Sequence, residues 1–184
     1  MKILKTIRDQ DIIPGYQPKN EIKYVFRKAV RAVLMDDERK IALLNVTKKN
    51  YHKLPGGGAK TEENDFEALR RECLEEIGCD ITIEEELGII KEFRDQFEQE
   101  QDSHCYLAKV KGPKGEPKFT AKEIRQGFIP EWVSQEESRG TDPEWLVIDR
   151  AIEILKTDQP ADYEGEFIQK RDLMFLVEAK KYLS

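Results

Sequence analysis

The sequence predicts an α+β fold, and three observations carry that reading. Apolar stretches of strand composition are separated by turn residues, helical stretches begin at recognisable caps, and the charged share of the chain is large enough to clothe a core. The 184 residues suit one domain of ordinary size, with 39% hydrophobic and 37% charged residues. That balance excludes disorder and collagen-like repeats. The longest apolar runs, such as Ile41 to Leu44 and Trp145 to Ile148, fall far short of the ~20 residues that cross a bilayer. Met1 to Lys5 returns to a charge at once and shows no cleavage site. A cytoplasmic protein without a membrane segment or secretory signal is expected.

Taken in order, Tyr24 to Met35 is rich in Val, Ala and aromatics, Asp36 to Arg39 reads as a turn, and Lys40 to Val46 returns as a strand, so these form a hairpin. Further strands are predicted over Ile81 to Phe93 and Ser103 to Val110, the latter closed by the turn residues Lys111 to Pro117. Phe128 to Val133 is a short strand that Pro130 assigns to a sheet edge. Asn64 with Glu67 is a capping-box pair and Gly78 a left-handed stop, which places a helix over Asp65 to Ile77. On it Phe66, Leu69, Cys73 and Ile77 share a face expected to meet the core. Ser134 with Glu137 opens a short helix, Asp142 ahead of Pro143 starts another over Glu144 to Lys156, and a last one spans Glu166 to Tyr182. The chain is read as one domain, 1–184: a core of about 22–156, an N-terminal extension 1–21, and a C-terminal helix of about 166–182. The extension and last helix are expected to cover the sheet of the same subunit, with a homodimer contact as the other use.

Charge and sulfur narrow the chemistry. Against 37 Asp and Glu stand 31 Lys and Arg, a formal charge of -6, and no basic stripe offers itself to a nucleic acid duplex. Three cysteines without a Cys-x-x-Cys pair, and two histidines, supply neither a disulfide framework nor a zinc site. Any metal would be held by oxygen.

Oxygen donors gather in one segment. Pro55-Gly56-Gly57-Gly58 leads straight into the helix from Asp65, and three successive glycines allow close approach and make backbone carbonyls available as ligands. At about 100° per residue, Glu72, Glu75 and Glu76 fall on one side of that helix. Like charges one turn apart repel, and a hard divalent cation such as Mg²⁺ removes the penalty. Glutamate is also the ordinary filler of solvated helix faces, as in Glu84 to Glu86, so the carboxylates alone would mean little. Their spacing means more. Gly57, Glu63, Arg71, Glu72, Glu75, Glu76 and Gly78 fit the pattern G-x5-E-x7-R-E-U-x-E-E-x-G-U at all seven fixed positions. A chance match is on the order of 1 in 100,000.

On this motif the chain resembles the Nudix hydrolases. The likeness extends over roughly residues 22–156, through the order strand, Pro-Gly-Gly loop, helix, strands and the Trp132-Val133-Ser134 segment. Cys73 and Cys79 stand at the aliphatic positions, Lys60 where many members have Glu, and Glu62 where many have Gly. The resemblance implies a Nudix-type α/β/α sandwich, a mixed β-sheet between helices. It also implies Mg²⁺- or Mn²⁺-dependent hydrolysis of a nucleoside diphosphate linked to another moiety. Metal ligands would be the carbonyl of Gly57 and the carboxylates of Glu72, Glu75 and Glu76. Arg71 would fix Glu72, Glu63 would brace the loop, and the general base would be Glu72, with Glu123, read as a loop residue, as second choice for base or as a distal metal ligand. Tyr51 and Arg94 are candidate substrate contacts, with His52, Phe93, Phe128, Trp132, Lys48 and Lys49 behind them. The spacings of a Pro or Tyr past the motif that mark two known substrate classes do not occur. A nucleotide-binding or sensor domain without turnover is the alternative, and either a monomer or a homodimer is compatible with the sequence.

Overall fold

The computed structural model describes residues 1–18, 21–134 and 145–183. Its strands are β1 (Ile3–Arg8), β2 (Val25–Met35), β3 (Ile41–Val46), β4 (Tyr51–Lys53), β5 (Asp80–Arg94), β6 (Gln99–Lys111) and β7 (Phe128–Val133), and its helices α1 (Asp65–Glu76), α2 (Ala121–Gln126), α3 (Trp145–Thr157) and α4 (Tyr163–Ala179). The strands form one mixed sheet in the order β1-β5-β6-β2-β3-β4, with β7 added on β3. β1 runs parallel to β5 and β2 parallel to β6, while the β5–β6 and β3–β7 pairs are antiparallel.

Alternation along β2 and β3 sorts their side chains into two layers. Val30, Ala32, Leu34, Ala42 and Leu44 pack with Leu69, Cys73 and Ile77 of the α1 segment. Val33, Ile41 and Leu43 pack with Ile148, Ala151 and Leu155 of α3 and Phe167 and Phe175 of α4. The result is the predicted α/β/α sandwich with its extra C-terminal helix. Each fully buried large apolar side chain, Phe167 and Phe175 among them, contributes roughly 1.5–3 kcal/mol.

Several expectations are corrected. The N-terminal extension does not lie over the sheet but joins it as β1, because Leu4 and Ile7 reach the α3/α4 core while the backbone pairs with β5. β6 begins at Gln99 rather than Ser103, since the polar Gln101 and Ser103 are buried through hydrogen bonds to Glu92. Tyr51–Lys53 is a strand too short to show a period. Phe66 does not face the core: it is 48% exposed and meets Tyr106 edge-on. α4 starts at Tyr163, capped by Asp162, and ends at Ala179, with a 3-10 turn over Lys180–Tyr182. Glu123 sits on a helix, because Thr120 and Glu123 close a capping box that starts α2. The hairpin turn, the α1 cap at Asn64 and the edge strand with Pro130 are as expected. The predicted helix start at Ser134 and Glu137 and the Asp142-Pro143 cap fall largely outside the described residues.

Candidate active site

The site arises where the sheet splits. β2 meets β3 only at Met35 opposite Ile41, and the rest of that edge is taken by the glycine loop. Ala32 N–H donates to the Pro55 carbonyl at 3.0 Å, Val30 N–H to that of Gly57 at 2.9 Å, and Ala59 N–H to that of Lys28 at 3.1 Å. Gly56 makes this approach possible. Its φ is +130°, and a Cβ there would lie 2.1 Å from the Val30 carbonyl oxygen. Beside the loop opens a cleft of about 200 Å³, lined from β2, β4, α1, α2 and α4.

α1 supplies its carboxylates. The helix starts where Asn64 Oδ1 accepts the N–H groups of Phe66 and Glu67 at 3.0 Å, and its last turns carry Glu72 and Glu76, both buried, into the cleft. Gly57 packs so tightly on Glu72 that a Cβ would stand 2.4–2.5 Å from the carboxylate atoms. Arg71 ties the group together. Its Nε and Nη2 bind Glu63 at 2.6 and 2.9 Å, its Nη1 reaches Glu72 Oε1 at 2.8 Å and Glu75 at 3.2 Å, and Nη2 reaches the Gly58 carbonyl at 3.1 Å. The fork, with Lys60 N–H beside it, holds the Glu63 carboxyl down at about 2, and Glu63 in turn raises Arg71.

A lysine absent from the sequence-based site sits among these acids. Lys53 Nζ is 2.8 Å from Glu76 Oε1 and 3.2 Å from the Gly56 carbonyl, and Gly56 N–H donates to Glu76 Oε2 at 2.7 Å. Burial raises the Glu76 carboxyl from its ordinary value despite these partners. Among the described residues no three His, Cys, Asp or Glu side chains converge as a ready metal cluster. Glu75, expected beside its neighbours, instead bends out to Arg71, and Lys53 occupies one side of Glu76.

The side of the cleft toward α4 is cationic. Arg27 and Arg31 lie on one face of β2, four residues apart, and Arg94 closes the group from the end of β5. Arg31 is 4% exposed and its Nη1 donates to the Val30 and Gly57 carbonyls at 2.7 and 3.3 Å. Burial, with Arg171 and Arg27 nearby, lowers its pKa to about 10. Arg94 binds Glu92 at 2.7 Å, and Arg27 binds Gln101. None of these arginines except Arg94 was singled out in the sequence. Arg31 inside the run Val30 to Leu34 was the available signal, since a cation in the middle of a buried strand is rare without a role.

Of the predicted residues, Gly57, Glu72, Glu76, Glu123, Tyr51, Arg94 and Phe128 line this one cleft. Arg71, Glu63 and Glu75 stand behind it. Glu123 Oε2 accepts the Thr120 N–H of its own cap at 2.6 Å. His52 turns away to Asp158, 2.9 Å from its Nδ1, Phe93 stacks with Tyr24 and Arg8, and Trp132 lies under Lys114.

A family model described as NUDIX domain matches residues 25–155. No curated protein matches the chain. Solved structures do. A NUDIX hydrolase from Nitrosomonas europaea is 16% identical over 85% of this chain and 90% of its own, with a TM-score of 0.58. A UDP-X diphosphatase is 17% identical over 95% of this chain and 70% of its own, with a TM-score of 0.53. The MutT protein from Methanosarcina mazei Go1 is 16% identical over 87% and 99%, with a TM-score of 0.52. At these identities the likeness is one of fold.

Proposed function

The chain belongs to the Nudix family, and we propose that it acts as a pyrophosphohydrolase on a nucleoside diphosphate linked to another moiety, with Mg²⁺ or Mn²⁺ as cofactor. The observation that supports this most is the fork of Arg71 onto Glu63 and Glu72 beside the glycine loop. It braces loop and helix together and fixes one oxygen of Glu72, leaving Oε2 to serve the cleft.

The donor set suits a hard cation. Glu72 and Glu76 are buried carboxylates in one cleft, and the absence of a side chain on Gly57 keeps the space against Glu72 open. Those two, with a carbonyl of the loop, would hold it, and Glu75 would join by leaving Arg71. Such an ion, when bound, neutralises the diphosphate and lowers the pKa of an attacking water. The residues do the rest. Glu72 takes the water proton at Oε2 as the oxygen attacks phosphorus and the bridging P–O bond breaks. Arg71 holds that carboxylate in line, and Lys53 faces the charge that gathers on the phosphoryl oxygens.

Incubation with Mg²⁺ or Mn²⁺ and a panel of nucleoside triphosphates, nucleotide sugars, ADP-ribose, dinucleotides and dinucleoside polyphosphates tests the reading, with Glu76→Gln as control. Cleavage of one class that vanishes in the control is the expected result. Nucleotide binding without turnover is the second reading, and the ion pair of Lys53 with Glu76 favours it, because a resident ammonium already neutralises one carboxylate. Binding of a nucleotide without release of any product from the panel would establish that reading instead.

A further inference from the structure

Four guanidiniums, those of Arg27, Arg31, Arg94 and Arg171, crowd the sheet face under α4, and two buried carboxylates, Glu92 and Asp172, answer them. The pairing is uneven. Arg171 takes Asp172 at 2.7 Å and Glu92 at 3.4 Å, and Arg94 takes Glu92 at 2.7 Å. Arg31 and Arg27 form no ion pair with any described residue, and Glu164 at the rim of the cleft is bound by Lys49 instead. The Nε atoms of Arg31 and Arg94 are buried without a hydrogen-bond partner among the described residues. Buried charges are ordinarily paired or hold an ion, so two unpaired guanidiniums lining a cleft point to an anion that arrives from outside.

The lining also says which anion. Its aromatic rings, Tyr51 and Phe128, offer no open face for a base. Tyr51 is 3% exposed, and Phe128 has Lys53 4.9 Å from its centroid on one side and Phe119 edge-on. Fixed forks of N–H donors match tetrahedral phosphate oxygens. The diphosphate to be cut has its own cation in Lys53, beside Glu72 and Glu76.

We propose that Arg27, Arg31 and Arg94 form a phosphate subsite on the α4 side of the cleft, which holds a phosphate group that the substrate carries beyond the diphosphate being cleaved. The substrate part of this inference rests on the hydrolase reading. The phosphate site does not, and it can be measured without turnover.

The test is thermal unfolding and calorimetric titration of the full chain in EDTA with inorganic phosphate, against sulfate and chloride at matched ionic strength. Phosphate is expected to raise the wild-type melting temperature. Arg31→Met, which removes a buried charge that no described carboxylate meets at ion-pair distance, should match or exceed the wild type in stability without ligand and bind phosphate at least about tenfold more weakly. Arg27→Gln, at a half-buried position, is the second variant and should weaken phosphate in parallel. Glu76→Gln should keep phosphate binding, so that a failed hydrolysis panel and a failed subsite are told apart. Ribose 5-phosphate and inorganic triphosphate then separate the two sources: tighter binding of the first assigns a phosphate monoester, of the second the end of a longer phosphate chain. No phosphate response in the wild type, a response that sulfate equals, or one that survives in Arg31→Met and Arg27→Gln would overturn the proposal.

Discussion

Lys53 and Glu76 form a buried ion pair, Nζ to Oε1 2.8 Å, at the centre of the cleft that the family motif builds. Removing one partner of such a pair leaves the other buried and uncompensated. In EDTA, Lys53→Met is expected to destabilise the fold by about 3–5 kcal/mol. Mn²⁺ should then restore more stability to the variant than it adds to the wild type, because the carboxylate has lost its competitor. Melting temperatures with and without Mn²⁺ decide it, and equal metal shifts in the two proteins would show that Lys53 and the ion do not share Glu76.

The role proposed for Arg71 rests on geometry more than on charge. Its two bonds to Glu63 need a planar fork, which lysine cannot supply. Arg71→Lys is therefore expected to keep the charge and lose about 10–100-fold in kcat with little change in KM. A KM effect alone would place Arg71 on the substrate rather than behind Glu72.

These two residues also show what was legible in the sequence. Arg71, Glu72 and Glu76 were legible because helical periodicity and motif spacing are local, and the capped helix carries Glu72 and Glu76 into one cleft with the glycine loop, with Arg71 behind them. Lys53 was missed because β4 is three residues long and its partner lies 23 positions away on α1. The same holds for Arg31, whose neighbours come from the loop and from α4. β1 was read as a cover since nothing in Ile3 to Arg8 tells a strand paired with β5 from a segment lying across it. Helical periodicity put Phe66 on the core face of α1, and the structure instead leaves it 48% exposed at the edge of that face, against Tyr106.

Glu92 makes stability depend on pH. Burial pushes its carboxyl up, but Arg94 and Arg171 beside it outweigh burial and hold it at about 2. A carboxylate depressed in the fold stabilises fully above its unfolded pKa, near 4.3, and that contribution drains away as pH falls toward the folded value. Glu92→Gln is expected to be less stable at pH 7 by on the order of 3 kcal/mol. Denaturant midpoints of wild type and variant should converge between about pH 4.5 and pH 2. A gap that stayed constant over that range would assign the cost to lost packing and not to the charge.

Glu72 and Glu123 both line the cleft, and only one can be the base that matters most. Glu72 has one oxygen fixed by Arg71 at 2.8 Å on a rigid helix turn. Glu123 has one oxygen committed to the Thr120 N–H at 2.6 Å, on a helix of six residues. Serving as base would not release that bond, but the short helix places its carboxylate less firmly than α1 places Glu72. Glu72→Gln should thus lower kcat by about 10²–10⁴-fold, the range of general-base catalysis. Glu123→Gln should lower it by about tenfold or less, with some loss of helix stability that the amide largely repairs as a cap acceptor. Single-turnover rates across pH separate the roles, since loss of the base removes the acidic limb of the profile. If Glu123→Gln removed that limb and Glu72→Gln did not, the base would belong to α2, and Glu72 would be left with the cation alone.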